Sequence, residues 1–304
     1  MSGPRLALLG HGFAGRLHEQ AALACGLTVA RVCRSGDDWR AAVNADDVDA
    51  VVIATPNALH HPQAIAALAA GKHVLVDKPM ATTAADGAAM IDAARAAGRT
   101  LLVGHMWRYR DEVIAARDRI AGGAVGRPVR TRGYGIHAGW GPGGWFTDAA
   151  LAGGGALIDM GIHAIDTVRF LLGDPPPRRV VASLDTAYGD HDVDDDGVVL
   201  VEWSMPDGTV VRSVVECGWW QPRLDGVEAD TEVYGTAGHD RIWPQYTPST
   251  PAPAEYVHCS PPMYAAQMAD FVRCCATGAT PVASGAVGLT ALRIVEQAYR
   301  SAGR

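Results

Sequence analysis

The 304-residue chain lacks a basic excess: its formal net charge is -7 at pH 7, and its 26 lysines and arginines are scattered rather than run together. A nucleic-acid surface needs a clustered cationic footprint, so neither DNA nor RNA is an expected partner. No apolar run approaches the roughly 20 residues that span a bilayer. Nor does a charged segment, an apolar core and a cleavage site open the sequence, since Arg5 leads straight into the apolar run Leu6 to Leu9. A cytoplasmic location without membrane partners is expected. The cysteines, Cys25, Cys33, Cys217, Cys259, Cys274 and Cys275, include no C-x-x-C spacing, which argues against a zinc knuckle or redox pair and for buried free thiols. No metal is expected either. The acidic run Asp190 to Asp196 lacks the glycine and terminal glutamate of a calcium loop and reads as a solvated turn.

What is present is an apolar content of 48%, ample for two cores, and a strand-helix alternation in the first third. The run ending at Leu9 passes into GHGFAG, Gly10 to Gly15, and then into an alanine-rich helix from His18 to Cys25. This is the dinucleotide context. Gly10 permits a tight turn, Gly12 lets a pyrophosphate approach the backbone, and Gly15 lets the helix pack on the strand; Phe13 and Ala14 lie between them, at the helix N-terminus that would hold the phosphates. A second strand, Leu27 to Cys33, ends in Arg34-Ser35, a cation and a hydroxyl that suit the 2′-phosphate of NADP(H). Asp37-Asp38 just beyond reads as the cap and first turn of the next helix, although a shifted strand end would bring one of them to the ribose of NAD(H).

Strands over Ala50 to Ala54, His73 to Val76 and Thr100 to Val103, separated by helices over His61 to Ala70 and Ala84 to Ala97, predict a parallel, doubly wound sheet. Ligands bind at the carboxyl ends of such strands. Thr55, Pro56, Asn57 and His60, then Asp77 and Lys78, then His105 to Arg108 occupy those ends. His60 is equally consistent with a helix start, and Lys78 with a solvated lysine. Gly122 to Pro128 breaks the alternation after a helix over Arg110 to Ile120, which divides the chain into residues 1–122, a dinucleotide-binding domain, and 123–304, a substrate-binding and assembly domain.

The second part opens with a strand over Val129 to Ile136 and a loop rich in glycine and tryptophan, Gly139 to Phe146, where Trp140 and Trp145 could line a ring-shaped ligand or simply pack. From Gly153 to Gly173 the sequence reads as an amphipathic helix. At about 100° per residue Asp159, His163 and Asp166 share one side, opposite Leu157, Met160, Ala164, Val168 and Leu171. Gly153, Gly154 and Gly155 admit another backbone or a ligand to its positive end, and Gly173 is a stop signal. Runs at Val180 to Tyr188, Gly197 to Ser204, Thr209 to Gly218 and Thr231 to Tyr234, with a hairpin at Asp207-Gly208, predict an antiparallel sheet. Its valine-rich face, with Trp203, Trp219 and Trp220 nearby, is a candidate subunit interface. Gln245 to Pro262 is proline-rich and irregular, and two helices close the chain, Met263 to Ala276 and Ser284 to Arg300.

Taken together, GHGFAG, ATPNALHHPQA from Ala54, HVLVDKPMA from His73, GGGALIDMGIHAID from Gly153 and the ending GLTALRIVEQAYRSA resemble the Gfo/Idh/MocA family of NAD(P)-dependent oxidoreductases over nearly the whole chain. The resemblance implies an N-terminal Rossmann domain followed by an α/β domain on a large, mostly antiparallel sheet that mediates homodimers or homotetramers. It implies hydride transfer between NADP(H) or NAD(H) and a hydroxyl or carbonyl carbon of a sugar, inositol or related polyol. It also implies a catalytic set of Lys78, Asp159 and His163, a cis Lys78-Pro79 bond, and substrate contacts from those three residues with Arg108 and Trp145. Asp77 stands where the family often has Glu, and Phe146 where many members have Arg, so a substrate contact seen elsewhere is absent here. Relatives of this kind include redox-assisted glycosidases and non-catalytic dinucleotide sensors. Retention of Lys78, Asp159 and His163 argues against the sensor, and net cofactor turnover separates a dehydrogenase from the glycosidase.

Overall fold

Strands that are apolar at every position must be covered on both faces, and β1 (Leu6–Leu9) and β3 (Ala50–Ile53) are of that kind. A computed structural model describes residues 3–138, 142–221, 227–228, 231–242 and 261–304. With β2 (Val29–Cys33), β4 (His73–Asp77) and β5 (Leu101–Gly104) these strands form a wholly parallel sheet of order β2-β1-β3-β4-β5. Helices α1 (Phe13–Ala24), α2 (Trp39–Val43), α3 (His60–Ala69) and α4 (Ala84–Ala97) make the crossovers. Capping fixes their starts. Asp38 accepts from the Arg40 and Ala41 N–H groups at the head of α2, Thr83 accepts from Asp86 at the head of α4, and Gly98 ends α4 at φ 62. The strand order reverses direction between β1 and β3, which puts the switch point of the sheet at their carboxyl ends.

The next stretch contains α5 (Asp111–Ala121), β6 (Pro128–Ala138), α6 (Ala149–Ala152), α7 (Ile162–Leu171), β7 (Pro177–Asp185), β8 (Asp196–Ser204), β9 (Val210–Gln221), β10 (Val227–Glu228), β11 (Thr231–Gly235) and β12 (His239–Ile242). Its sheet has the order β12-β11-β6-β9-β8-β7, with β10 paired to β6. All pairings are antiparallel except the central one, β6 with β9, which is parallel, so the sheet is mostly antiparallel as expected. The Asp207 hairpin forms as read, with the Asp207 carboxylate accepting from the Thr209 N–H and Gly208 at φ 80.

Two helices close the chain, α8 (Pro261–Thr277) and α9 (Gly285–Ser301). Residues Met1–Tyr109 and Cys259–Leu289 form one compact unit, Arg110–His258 and Thr290–Arg304 another. This differs from a division at residue 122 in two ways. The helix before that point, α5, already belongs to the second unit, and α8 returns to the first, where it packs along α1. Asp270 of α8 secures that return by accepting from the Tyr109 hydroxyl (2.8 Å) and the Val282 N–H (2.9 Å).

Within the second unit α7 packs against β6, and α5 packs against α7 and reaches β12 of the same sheet. Glycine sets the distance. A Cβ at Gly135 of β6 would stand 2.3 Å from the Met160 carbonyl oxygen, so only glycine lets this segment lie directly on the strand. Every residue from Gly155 to Leu172 is consequently buried. The side of the helix that carries Asp159, His163 and Asp166 faces protein as well as the apolar side. Trp203 and Trp219 are also fully buried, not exposed on an interface as read; Trp203 donates to Ser213 inside the unit. The outer face instead presents Val181 and Val198 among the ion pairs Arg132–Glu216 and Arg212–Glu202. Cys25, Cys33, Cys217, Cys274 and Cys275 are free thiols, three of them buried. Among the described residues no helix is long and apolar enough to cross a membrane. Cys259, Trp140, the Trp220 side chain and most of the proline-rich segment lie outside what is described.

His18 of α1 is buried against the Tyr264 ring of α8, and neither of its ring nitrogens has a hydrogen-bond partner among the described residues. Burial holds it below the ordinary imidazole range, opposed by the charge of Asp77. The unfolded chain then binds the proton more readily, so stability falls as pH drops below about 6.5. The melting temperature of His18→Leu should accordingly decline less steeply than that of the wild type from about pH 7 to about pH 5. Equal slopes in a thermal-shift series would contradict a neutral, buried His18.

Candidate active site

In the first unit the turn from β1 into α1 combines two properties. Gly10, at φ 89, would place a Cβ 2.2 Å from the Ala54 carbonyl oxygen, and Gly15 would place one 2.2 Å from that of Gly10. Both are glycine because backbone closes on backbone there. Gly12 is different: a Cβ on it would meet nothing within 4 Å, and no side chain caps the helix it begins. A helix N-terminus with its first N–H groups uncapped by side chains and open space beside it fits a diphosphate. Phe13 is exposed and Ala14 half-exposed beside it. At the end of β2, Arg34 and Ser35 are exposed. Asp38 caps α2, as expected, whereas Asp37 lies before the cap and turns its carboxylate back onto the Arg34 N–H at 2.7 Å.

The loops after β3 and β4 are tied together by His60. Its Nδ1 lies 2.7 Å from the Pro79 carbonyl oxygen and its Nε2 2.8 Å from that of Thr55, and burial holds the ring below the usual imidazole range. Thr55 donates to Gln63 at 2.8 Å, and Asn57 is buried after Pro56. Asp77 accepts from the Lys78 N–H at 3.0 Å; Lys78 is half-buried, and its bond to Pro79 is cis. After β5, His105 and Arg108 are both buried, the Arg108 N–H donating to the His105 carbonyl oxygen in a short 3-10 turn, Met106–Tyr109.

In the second unit the segment read as one helix is built in two parts. Leu157–Gly161 is a π-helical turn, a rare geometry concentrated at functional sites, and it runs into α7. Asp159 sits in the π turn at 6% exposure and His163 in the first turn of α7 at 3%. Asp159 accepts a hydrogen bond from the Trp219 indole N–H at 3.1 Å. Asp166 is likewise buried, and Gly173, at φ 81, ends α7 as its stop signal. Trp145 stacks on Phe146, with ring centroids 3.9 Å apart, and Phe146 packs against Ala156, Val193 and Trp219.

The acidic run is the main correction. Asp194 and Asp195 are fully buried rather than part of a solvated turn. Asp194 receives the Gly155 N–H (2.8 Å) and the Tyr299 hydroxyl (2.7 Å) on Oδ1, the Leu157 N–H (2.8 Å) on Oδ2 and the Ala156 N–H (2.7 Å) on its carbonyl oxygen. Its backbone is the reason for Gly155, whose Cβ would stand 1.8 Å from the Asp194 oxygen. The positive end of this helix is thus occupied by the protein's own carboxylate, not left for a ligand. Asp195 accepts from the Ala187, Tyr188 and Gly189 N–H groups. Asp194, Trp219 and Tyr299 were missed in the sequence; the consecutive glycines at 153–155 were the one signal that something approached closely.

Residues 5–105 match the model described as an oxidoreductase family with an NAD-binding Rossmann fold. Residues 113–239 match the model of the GFO/IDH/MocA C-terminal domain. The chain is 42% identical over 156 residues to the 1,5-anhydro-D-fructose reductase of Ensifer adhaerens, covering 50% of this chain and 46% of that one. It spans about half the length of curated relatives such as that reductase. It is 28% identical over 313 residues to the rhizopine catabolism protein MocA of Rhizobium meliloti, covering 97% of this chain and 93% of the relative. The structure of GenD2 from gentamicin A biosynthesis in complex with NAD superposes with a TM-score of 0.83 at 28% identity, covering 100% of this chain and 96% of that one. Its two matched halves, in this order and on this fold, make the chain a member of the Gfo/Idh/MocA oxidoreductase family.

Proposed function

We propose that the protein is an NAD(P)-dependent dehydrogenase or reductase acting on a hydroxyl- or carbonyl-bearing carbon of a sugar, inositol or related polyol. The observation that carries this reading is the retention of Asp159 and His163, about one helical turn apart and withdrawn from water, in a chain matched over both halves by the models of an oxidoreductase family. Relatives named as a reductase of 1,5-anhydro-D-fructose and as an inositol dehydrogenase support the substrate class.

Gly10, Gly12, Phe13, Ala14 and Gly15 would hold the diphosphate at the head of α1, with Thr55, Pro56, Asn57, His60 and Asp77 shaping the neighbouring strand ends. Bound NAD(P) supplies the acceptor, or in reverse the donor, of a hydride. His163 takes the proton of the substrate hydroxyl as its carbon becomes a carbonyl and returns it in the reverse direction. The Lys78 ammonium donates a hydrogen bond to the oxygen as negative charge develops on it. Asp159 orients the imidazole or accepts from a neighbouring substrate hydroxyl. Arg108 and Trp145 are assigned to substrate binding. NADP(H) is favoured over NAD(H), because Arg34 and Ser35 are exposed at the end of β2 while the Asp37 carboxylate is already engaged by the Arg34 N–H. Self-association is assigned to the sheet face that carries Val181 and Val198.

A panel of sugars and polyols assayed with NADP and NAD in parallel should give net change in nicotinamide absorbance with at least one substrate. With that substrate Lys78→Ala and His163→Ala should each lower kcat by about a hundredfold or more; undiminished turnover in both would overturn the assignment. Arg34→Asp should lower kcat/KM for NADP on the order of tenfold while sparing NAD. A variant with an unchanged NADP to NAD ratio would remove Arg34 from coenzyme selection.

A further inference from the structure

We infer that Trp219 is a positioning residue for Asp159, fixed in that role by the acidic segment Asp194-Asp195; the inference rests on the function proposed above. Trp219 is fully buried in β9, and its indole N–H points at Asp159 Oδ2 from 3.1 Å. An indole N–H can only donate, so it holds a carboxylate acceptor in one orientation.

Both ends of that hydrogen bond are anchored by consecutive residues of one loop. The Asp194 carboxylate and carbonyl take the N–H groups of Gly155, Ala156 and Leu157, which sets where the π turn carrying Asp159 begins. The Asp195 carbonyl oxygen takes the Trp219 backbone N–H at 2.7 Å, which sets where the indole begins. Asp195 is itself held by the Ala187, Tyr188 and Gly189 N–H groups, and the His191 ring stands edge-on to Trp219 with centroids 6.0 Å apart. Tyr299 adds a hydroxyl that donates to Asp194 and accepts from the Gly155 N–H at 3.1 Å. Burial, with Asp194 beside it, pushes that hydroxyl well above the ordinary phenol range, so it remains a donor. The distance from acid to indole is thereby fixed by hydrogen bonds rather than by apolar packing alone. Any buried indole needs an acceptor, as Trp203 finds in Ser213; Trp219 differs in that its acceptor is Asp159 and its backbone is anchored by the same loop that anchors the Asp159 turn.

The test is a double-mutant cycle between positions 219 and 159, read as kcat with the substrate found in the panel. Trp219→Phe alone should lower kcat roughly tenfold while leaving KM for the dinucleotide unchanged. In an Asp159→Asn background the same substitution should have no further effect, because the group it acts through is already gone. Equal losses in both backgrounds would make Trp219 merely structural and overturn the inference. Should Trp219→Phe fold poorly, replacing Trp219 with 3-benzothienylalanine removes the N–H at nearly constant shape and should give the same roughly tenfold loss; full activity would refute the role. If Asp159→Asn alone leaves kcat intact, the function assigned to Asp159 fails instead, which separates the two outcomes.

Discussion

A carboxylate taken out of water must be compensated, and Asp194 is compensated by the very backbone it holds in place. At 1% exposure it gathers two main-chain N–H groups and a tyrosine hydroxyl on its two oxygens. Hydrogen bonds to a carboxylate are among the stronger ones a protein makes. The exchange is mutual: the start of a helix has N–H groups with no intrahelical partner, and here a single residue satisfies those of residues 155–157. The π turn, the buried acid within it and the imidazole that follows are all placed from this point.

The two units treat the same electrostatic feature in opposite ways. In the first, α1 begins at Gly12 with no side-chain cap and with room beside the glycine, the arrangement that accepts an external anion. In the second, the corresponding positive end is closed by Asp194. Glycine serves both ends of this contrast. At Gly12 the missing side chain leaves space for a ligand, whereas at Gly135 and Gly155 it is replaced by the chain's own backbone. A glycine-rich segment therefore signals a close approach without saying what approaches.

That distinction explains what could be read in the sequence. The parallel sheet was legible because each strand is a short apolar run ended by turn residues, and α4 because Thr83 and Gly98 mark its limits. The G-x-G-x-x-G turn, the Asp207 hairpin and the positions of Asp159 and His163 were equally local. What escaped depends on partners far apart in sequence. Asp194 reads as one more acid in a hydrophilic run until Gly155, 39 residues away, supplies its N–H. Periodicity placed Asp159 and His163 on a polar side, but it could not reveal that this side is buried, nor that a π turn interrupts the helix. The return of α8 to the first unit, and the parallel pairing of β6 with β9, likewise leave no local mark.

Dinucleotide binding at the β1–α1 turn can be measured directly through Gly12. Because a Cβ there meets nothing in the protein within 4 Å, Gly12→Val should still fold, its melting temperature lowered only modestly by a poorer residue at the helix N-cap. Titrated with NADPH and with NADH and followed by nicotinamide fluorescence, the wild type should bind saturably and the variant should lose affinity on the order of a hundredfold, since the added side chain occupies the space assigned to the diphosphate. Equal affinities in a folded variant would contradict the account.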